Sequence, residues 1–381
     1  MKTTLYIHYP FCQRKCLYCS FNSTDDVSIN PEEYCAGILR EMELRSQTMG
    51  DEIAAVTLYF GGGTPSLMDP SLAERLIMAA RRIFRLTADA EVTLECNPGT
   101  VKKESLAAFR SAGVNRISLG VQSFHDVLLS RLGRLHSAAD ALEAVGAVRD
   151  AGFGNVGIDL IHSIPGQSAA MWESDLERAC ALELEHISVY GLTVEEGTPF
   201  ARQEREGGLQ LPDEDQSAAM YEMASEFLVS RGFEHYEIAN FARPGFRSRH
   251  NSGYWQRLPC LGFGAGAHSF LPRPGNGIRF SNAEGISDYL RSLAEGTLPV
   301  SDSCPLSRRE AMAERLFLGL RLSEGVNLSD FLREFGVPFE EAFGPACGPL
   351  FSAGLLEIRD GCLILHPRAR ILSNQVFARL L

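Results

Sequence analysis

Three cysteines stand within eight residues near the start of the chain, where Cys12, Cys16 and Cys19 form the pattern C-x3-C-x2-C. Thiolates at this spacing on one loop can converge on a single metal centre. A zinc site would need a fourth ligand, for which His8 is the nearest candidate, and zinc ligands usually come as two C-x2-C pairs. A [4Fe–4S] cluster held by three thiolates would leave one iron open, and an open metal position is where a substrate or cofactor binds. Three free thiols without a metal are the remaining interpretation.

Further polar or flexible residues follow the predicted strands. Residues 61–65 read GGGTP and can bring bare backbone close to a ligand, although three glycines also suit a tight turn. Polar side chains occur in or at the ends of the next three strands: Glu95, Asn97, Gln122 and Asp159. A polar residue at the end of an apolar strand is costly unless it meets a partner or a ligand. Four such residues in register favour a binding site over four separate capping interactions.

The composition restricts the class of protein. The 381 residues carry a formal charge of -12, which argues against nucleic acid as a partner. No apolar run reaches the roughly 18–20 residues of a membrane span, and the N-terminus lacks the pattern of a signal peptide. We therefore expect a cytoplasmic protein. In that compartment ten cysteines do not indicate a disulfide framework.

Short apolar runs alternate with helical patterns along the first half of the chain. Six runs read as buried strands of a parallel sheet: TLYIHY, VTLYF, EVTLEC, NRISLGV, NVGIDLI and HISVYGL. Every chemically unusual segment lies at or near the carboxyl end of one of them, where (β/α) barrels build their sites. A doubly wound sheet would concentrate such segments in one crevice. Because there are six units rather than eight, the predicted fold class is α/β, an incomplete (β/α)6 TIM-like barrel.

The alternation changes after residue 211, where a long helix over 213–230 is predicted. We divide the chain into the barrel at 1–235, a barrel-completing segment at 236–300 and a small, mostly helical, winged-helix-like domain at 301–381. The polar, proline-containing residues 299–305 are predicted to be a linker. Helices over 307–322 and 328–335 follow, and a hairpin is expected to turn at Asp360-Gly361.

The cysteine pattern is the signature of the radical S-adenosylmethionine (radical SAM) superfamily, which the chain also resembles in its predicted partial barrel. The resemblance implies that Cys12, Cys16 and Cys19 ligate a [4Fe–4S] cluster, and that the fourth iron takes the amino and carboxylate groups of S-adenosylmethionine (SAM). A reduced cluster of this kind can pass one electron to the sulfonium and release a 5′-deoxyadenosyl radical.

Longer segments resemble the branch that contains oxygen-independent coproporphyrinogen III oxidases and HemW-like heme chaperones. The similarity runs through LYIHYPFC, GGGTPS, ECNPGT, NRISLGVQSF, LGRLH, IDLIHSIPGQS, HISVYGLTVEEGTPF and YEIANFA, and is weaker in the tail. It implies that SAM is contacted by Tyr6, Tyr18, Gly62, Gly63, Thr64, Glu95, Gln122, Arg134 and Asp159. One departure is His162-Ser163, where this branch usually carries an aromatic residue and glycine; the local loop is therefore in doubt, but Asp159 is not.

Two features separate the two relatives. The oxidases typically have a further cysteine at the position of Phe21, and their N-terminal extension is longer. The segment RHNSGYW contains HNxxYW, a hallmark of the HemW-like proteins, which offers an imidazole for heme iron and two aromatic rings for the porphyrin. The resemblance thus favours His250 as a heme-binding residue, with His268 as a second candidate.

The resemblance implies a heme chaperone that binds a [4Fe–4S] cluster, SAM and heme, and that delivers heme to acceptor hemoproteins. In the resembling proteins these acceptors include respiratory membrane proteins. Homodimer formation is possible. The alternatives are a radical enzyme that decarboxylates two propionates of coproporphyrinogen III, and another radical SAM enzyme that acts on a tetrapyrrole.

Overall fold

Six parallel strands alternate with helices along the first half of the chain in the computed structural model, which describes residues 1–48, 53–273 and 275–381. The strands are β1 (Lys2–Tyr9), β2 (Ala54–Gly62), β3 (Glu91–Cys96), β4 (Arg116–Gln122), β5 (Val156–His162) and β6 (His186–Gly191). The helices are α1 (Pro31–Thr48), α2 (Pro70–Phe84), α3 (Lys103–Ala112), α4 (Asp126–Leu132), α5 (Ala138–Asp150) and α6 (Ala169–Ala181). All six predicted strands are therefore present, in the predicted order.

Helix starts follow the capping residues of the sequence. The Asp69 carboxylate accepts a hydrogen bond from the Ser71 backbone N–H (2.8 Å), and Pro70 occupies the first turn of α2. Ser137 and Asp140 form a reciprocal capping box at the start of α5. These interactions satisfy backbone donors that would otherwise lack a partner.

The second half of the chain extends this sheet at both edges. Its elements are α7 (Pro199–Arg205), α8 (Glu214–Ser230), β7 (Glu234–His235), β8 (Asn240–Ala242), α9 (Arg249–Trp255), β9 (Cys260–Phe263), β10 (His268–Leu271), β11 (Ile278–Asn282), α10 (Ile286–Ala294) and β12 (Val300–Pro305). The strand order is β12-β11-β10-β9-β1-β2-β3-β4-β5-β6-β8-β7. Strand β9 runs parallel to β1, whereas β10–β12 and β7–β8 are antiparallel additions. The sheet is thus an open, incomplete barrel, as predicted.

The two faces of the parallel strands differ in chemistry. The face covered by helices is apolar and forms the main core, with residues such as Leu58, Leu94 and Ile158 fully buried. Because side chains alternate along a strand, the intervening residues point to the opposite, inner face. That face carries polar side chains: Tyr6, His8, Thr57, Tyr59, Glu91, Thr93, Glu95, Arg116, Ser118, Asp159, His186, Ser188 and Tyr190. A complete barrel usually fills this space with branched apolar residues, so the inner face is built to meet polar groups.

A small C-terminal body follows, with its own apolar core around Phe331, Phe343 and Leu363. It consists of α11 (Arg308–Gly319), β13 (Val326–Asn327), α12 (Leu328–Phe335), α13 (Phe339–Ser352), β14 (Leu356–Arg359), β15 (Cys362–Leu365) and α14 (Ser373–Phe377). The predicted hairpin is confirmed, since Asp360 and Gly361 both have positive φ (51° and 76°), as a tight two-residue turn requires. The three-stranded sheet β13-β15-β14 beside the helices agrees with the winged-helix-like prediction.

The linker prediction is wrong. Residues 300–305 form β12, which pairs antiparallel with β11 at the edge of the large sheet. All six side chains are exposed, so the strand has the polar composition of a linker although its backbone is hydrogen-bonded. The segment boundaries at 235 and 300 stay predictions.

The C-terminal body contacts the barrel through one buried ion pair, one partly exposed ion pair and a cation–π contact. The Arg257 guanidinium contacts Glu314 of α11 (3.1 Å) and Glu334 of α12 (3.2 Å), and the Arg321 guanidinium lies 4.2 Å from the centre of the Trp255 ring. Within the described ranges, no helix is both long and apolar enough to cross a membrane.

Candidate functional site

The three clustered cysteines lie on the loop between β1 and α1. The loop is fixed at both ends, because Cys12 N donates to Thr24 O (2.8 Å) and Leu17 N donates to Leu132 O (3.1 Å). Arg14 Nη2 also donates to Gly133 O (2.8 Å). The cysteines are therefore held against the carboxyl ends of the strands, where the sequence predicts the site.

All three thiols line one cavity and are partly buried. Burial raises the pKa of Cys12 and of Cys19, and the neighbouring thiol of Cys16 adds to both shifts. Two further groups lie near the sulfurs: Thr64 Oγ1 is 3.6 Å from Cys12 Sγ, and Arg134 Nη1 is 3.6 Å from Cys16 Sγ. Donors of this kind stabilise thiolate charge and tune a bound metal centre.

The zinc interpretation needs a fourth ligand beside the three thiols. Across the part of the chain that the structure describes, no three His, Cys, Asp or Glu side chains converge closely enough for one metal ion. A [4Fe–4S] cluster places each thiolate on a different iron, so its ligands stand further apart than those of zinc. His8, the fourth zinc ligand considered above, has both ring nitrogens in hydrogen bonds, to Tyr6 Oη (3.1 Å) and Asn22 O (2.7 Å). Three thiols on one cavity, with the His8 ring engaged elsewhere, form a donor set that fits a three-thiolate cluster.

The cavity has a volume of about 420 Å³ and collects most of the predicted SAM contacts. Those that line it are Tyr18, Gly62, Gly63, Thr64, Glu95, Gln122, Arg134 and Asp159. The glycines are required by close packing against the cysteine loop. A Cβ on Gly63 would lie 2.6 Å from Pro10 O, and Gly62 has a φ of 119°, which side chains disfavour.

Two carboxylates form one wall of the cavity. Glu95 Oε1 accepts a hydrogen bond from the Tyr59 hydroxyl (2.7 Å), and Glu95 Oε2 accepts one from Gly62 N (3.3 Å). Glu95 is partly open to the cavity but is surrounded by protein on its other sides, and this burial raises its pKa to about 7; Asp159 nearby adds to the shift. Burial also raises the pKa of Asp159. Acidic groups held in this way suit hydroxyl and ammonium partners.

Arg134 is one of three cations among the described residues that line the cavity, with Arg14 and Lys15. Its Nη2 donates to Asn97 Oδ1 and to Gly120 O, both at 2.6 Å. Its Nε is buried and has no hydrogen-bond partner among the described residues. A buried guanidinium N–H without a partner is costly, so a ligand carboxylate at this position would satisfy it. This orphaned donor is the structural observation that best fits the amino-acid end of SAM.

Gln122 and Tyr6 differ from the other predicted contacts, the first in its backbone conformation and the second in its position. Gln122 lines it with a φ of 69°, a conformation that non-glycine residues adopt rarely and that occurs often at functional sites. Tyr6 does not line it. The Tyr6 ring stacks on Tyr59 (6.2 Å between centres) and lines an adjoining cavity that shares Gly62 and Glu95.

Other lining residues were not predicted as contacts. Ser118 and Tyr190 lie on the same inner face as Asp159, and the Ser118 hydroxyl is 3.5 Å from that carboxylate. The strict alternation within strands β4 and β6 could have identified both. Phe21 lies at the rim with 64% of its surface exposed, in place of the oxidase cysteine.

His250 lies away from the cysteines and is 1% exposed. Its Nδ1 is hydrogen-bonded to Thr57 Oγ1 (2.8 Å), its Nε2 to the Tyr254 hydroxyl (2.8 Å), and its ring stacks on Tyr59 (4.8 Å). Burial lowers the pKa of His250 to about 3, so the ring is neutral. Heme binding by His250 stays a prediction, and iron ligation would require the ring to give up one of these bonds.

The departure at residues 162–163 has a local explanation. Ser163 has a φ of 63°, the left-handed conformation in which glycine is usual. Its hydroxyl is hydrogen-bonded to His162 Nδ1 (2.9 Å), and the imidazole packs near Trp172 (5.8 Å), where an aromatic residue would also fit. The bond between Ser163 and His162 and the packing of the imidazole near Trp172 therefore stabilise this loop conformation.

Comparisons with known proteins show to which family the chain belongs. The model of the radical SAM superfamily matches residues 6–179, and the model of the HemN C-terminal domain matches residues 306–372. The heme chaperone HemW of Lactococcus lactis is 36% identical over 99% of this chain and 96% of its own length. HemW of Bacillus subtilis is 34% identical over 99% and 98%. The mitochondrial radical S-adenosyl methionine domain-containing protein 1 of Bos taurus is 36% identical over 85% of this chain and 74% of its own.

Among solved structures, the Escherichia coli coproporphyrinogen III oxidase HemN superposes with a TM-score of 0.85. The match covers 99% of this chain and 89% of HemN at 22% identity, so this likeness concerns the fold. The full-length similarity to the curated relatives is higher. The chain therefore belongs to the radical SAM superfamily and, within it, to the family of HemW heme chaperones.

Proposed function

We propose that this protein is a cytoplasmic heme chaperone that binds a [4Fe–4S] cluster, SAM and heme, and transfers heme to acceptor hemoproteins. The observation that carries the proposal is the cavity in which three thiols, two carboxylates and one incompletely paired guanidinium meet. The names and full-length similarity of the HemW relatives support the heme function.

In this proposal Cys12, Cys16 and Cys19 ligate three irons of the cluster. The reduced cluster, when bound, supplies an electron to the sulfonium of SAM. Arg134 pairs with the SAM carboxylate, and its bonds to Asn97 and Gly120 fix the guanidinium before binding. Thr64 and Arg134 stabilise the thiolates.

The two carboxylates orient the rest of the cofactor. Glu95 is held by Tyr59 and Gly62, and Asp159 is held near Ser118, so neither has to reorganise when a hydroxyl or ammonium group arrives. Tyr18 lies beside Arg134 and contributes an aromatic wall, while Gly62 and Gly63 let the backbone approach. Gln122 contributes an amide at the end of β4.

The heme part of the proposal rests on the family and on Phe21. A phenyl ring at the position of the oxidase cysteine removes a thiol and places an apolar surface at the mouth of the cavity. Acceptors in this proposal are hemoproteins, including membrane respiratory proteins; homodimer formation stays a prediction.

The test is anaerobic reconstitution of the full chain with iron and sulfide, followed by a hemin titration and an assay of coproporphyrinogen III turnover. We expect a cluster whose formation depends on all three cysteines, one heme per chain and no formation of protoporphyrinogen. Clear conversion of coproporphyrinogen III would contradict the chaperone assignment and favour the oxidase. A chain whose clustered cysteines bind only zinc would contradict the cluster.

A further inference from the structure

A protein that holds heme through an imidazole needs a histidine whose ring nitrogen can reach the iron. All nine histidines of the chain lie within the described ranges. Six are buried: His8, His136, His162, His186, His235 and His250. His125 and His366 are partly exposed, and each has a ring nitrogen in a hydrogen bond to the backbone, with Met171 O and Arg368 N respectively. His268 is exposed, and none of the described residues forms a hydrogen bond with its ring.

The backbone around His268 is fixed. His268 is the first residue of β10 and pairs with Ser281 of β11. The neighbouring bonds Asn282 N to Ala267 O (3.0 Å) and Gly266 N to Ala283 O (2.8 Å) hold the preceding turn. A ligand on this imidazole would therefore meet a preorganised position rather than a mobile loop.

His268 lies between two adjoining cavities of about 380 and 480 Å³, which share Tyr6, His8, Gly266 and His268. We call these two cavities together the His268 groove. Pockets of this size are typical of small-molecule and cofactor sites. The second cavity also shares Lys15, Phe21, Gly62 and Glu95 with the cavity of the cysteines, so the groove reaches the predicted cluster site.

One cavity of the groove offers an apolar wall for a macrocycle, whereas the other is polar and includes Glu95 and Glu284 beside Lys15. Tyr254, Trp255 and Phe270 line the apolar cavity. Two cations can receive propionates. The Arg279 side chain is 42% exposed beside Glu314, and the ammonium group of Lys15 donates to Phe21 O (2.9 Å) and keeps further donors free.

The residues of the HNxxYW motif have different roles in this arrangement. Its tyrosine and tryptophan face the groove, whereas its histidine lies behind the tyrosine, with His250 Nε2 2.8 Å from the Tyr254 hydroxyl. His250 can therefore position Tyr254 without touching a ligand in the groove.

We infer that His268 supplies the iron ligand for heme in the His268 groove, and that His250 is a positioning residue for the aromatic wall. The inference rests on the proposed function, because it takes heme as the ligand. The lone pair of one neutral imidazole nitrogen forms the bond to iron.

The test is a hemin titration of the full chain with absorption and resonance Raman or EPR detection, in wild type, His268→Ala, His268→Gly, His250→Ala and His366→Ala. We expect His268→Ala to weaken heme binding about tenfold or more and to remove the histidine-ligated spectrum. Added imidazole should restore that spectrum in His268→Gly, because it can fill the vacated position. His366→Ala is the matched control outside the groove and should match wild type. His250→Ala should retain the spectrum with weaker binding; circular dichroism establishes which variants are folded.

Wild-type affinity and spectrum in folded His268→Ala would overturn the inference while leaving the heme function intact. Failure of imidazole to restore the spectrum in His268→Gly would also count against it. Absence of heme binding by the wild-type chain would overturn both the inference and the proposed function, so the two failures are distinguishable.

Discussion

The cysteine loop and helix α9 are both visible as motifs in the sequence, yet they occupy opposite environments. The cysteines line an open cavity, while His250 of α9 is buried with both ring nitrogens in hydrogen bonds. A motif therefore specifies residue types and spacing, but it does not determine which of its members faces a ligand. Exposure is decided by the strands that pack around the motif, as Thr57 and Tyr59 of β2 do for His250.

The largest effect is expected at the cysteine loop, which lines an open cavity. Replacing Cys16 by Ser removes one of three ligands, and the iron and sulfide content after anaerobic reconstitution should fall to background. This loss exceeds the roughly 10–100-fold effect of removing an outer-shell partner of a metal site. Cys304→Ser, an exposed cysteine on β12, is the control and should retain the cluster. Normal cluster content in Cys16→Ser would disprove the ligand assignment.

Replacement of the buried His250 should change the free energy of unfolding rather than cluster binding. His250→Ala leaves a cavity and deprives two hydroxyl groups, those of Thr57 and Tyr254, of a partner. We expect the free energy of unfolding to fall by about 2–4 kcal/mol, measured by urea denaturation. His268→Ala, at an exposed position, should change it by no more than about 0.5 kcal/mol. Equal effects of the two replacements would remove the contrast between the two histidines.

Glu95 connects the two regions, because its carboxylate accepts from the Tyr59 hydroxyl and the Tyr59 ring stacks on His250. Its folded-state pKa of about 7 lies above the ordinary value of 4.5, so the folded protein holds this proton more tightly than the unfolded chain does. The resulting stability is fully present below about pH 4.5 and is lost as the pH rises through 7. We expect a loss on the order of 3 kcal/mol, which Glu95→Gln should abolish.

Ionisation of Glu95 should strengthen SAM binding, although it lowers the stability of the fold. The ionised carboxylate is the better acceptor for SAM hydroxyl and ammonium groups. SAM affinity measured by calorimetry should therefore increase between pH 6 and pH 8 in wild type. SAM affinity that is independent of pH in wild type would contradict this prediction. SAM affinity that still varies with pH in Glu95→Gln would assign the pH dependence to another group.

The smallest effect is expected at Ser163, which has the left-handed conformation in which glycine is usual. Ser163→Gly removes the strain of a positive φ but also the bond to His162, and should change the free energy of unfolding by less than about 1 kcal/mol. Ser163→Val should destabilise by more than that, since β-branched residues fit this conformation poorly. A tolerated valine would show that the positive φ is not enforced.

The sequence predicts well what depends on local periodicity. The six parallel strands, the long helix α8 and the Asp360-Gly361 turn follow from alternation, helical patterning and turn chemistry. It also predicts that Glu95, Gln122 and Asp159 share one cavity, because the carboxyl ends of parallel strands lie at one edge.

Features that depend on distant pairing were not predicted. Strand β12 has the composition of a linker and is a strand only because β11 offers it a partner. Helix α13 contains Pro345 and Pro349, which weaken its helical pattern. The burial of His250 arises from the packing of its ring against Thr57 and Tyr59 of β2. The exposure of His268 depends on the pairing of β10 with β9 and β11, and no local pattern contains either arrangement.

The most direct test of the central claim is heme transfer from the reconstituted, heme-loaded protein to membranes that contain heme-free respiratory acceptors. The account predicts that heme reaches the acceptor faster than it reaches an excess of apomyoglobin, which only traps heme that has dissociated. Equal rates with acceptor and scavenger, together with conversion of coproporphyrinogen III, would contradict the account.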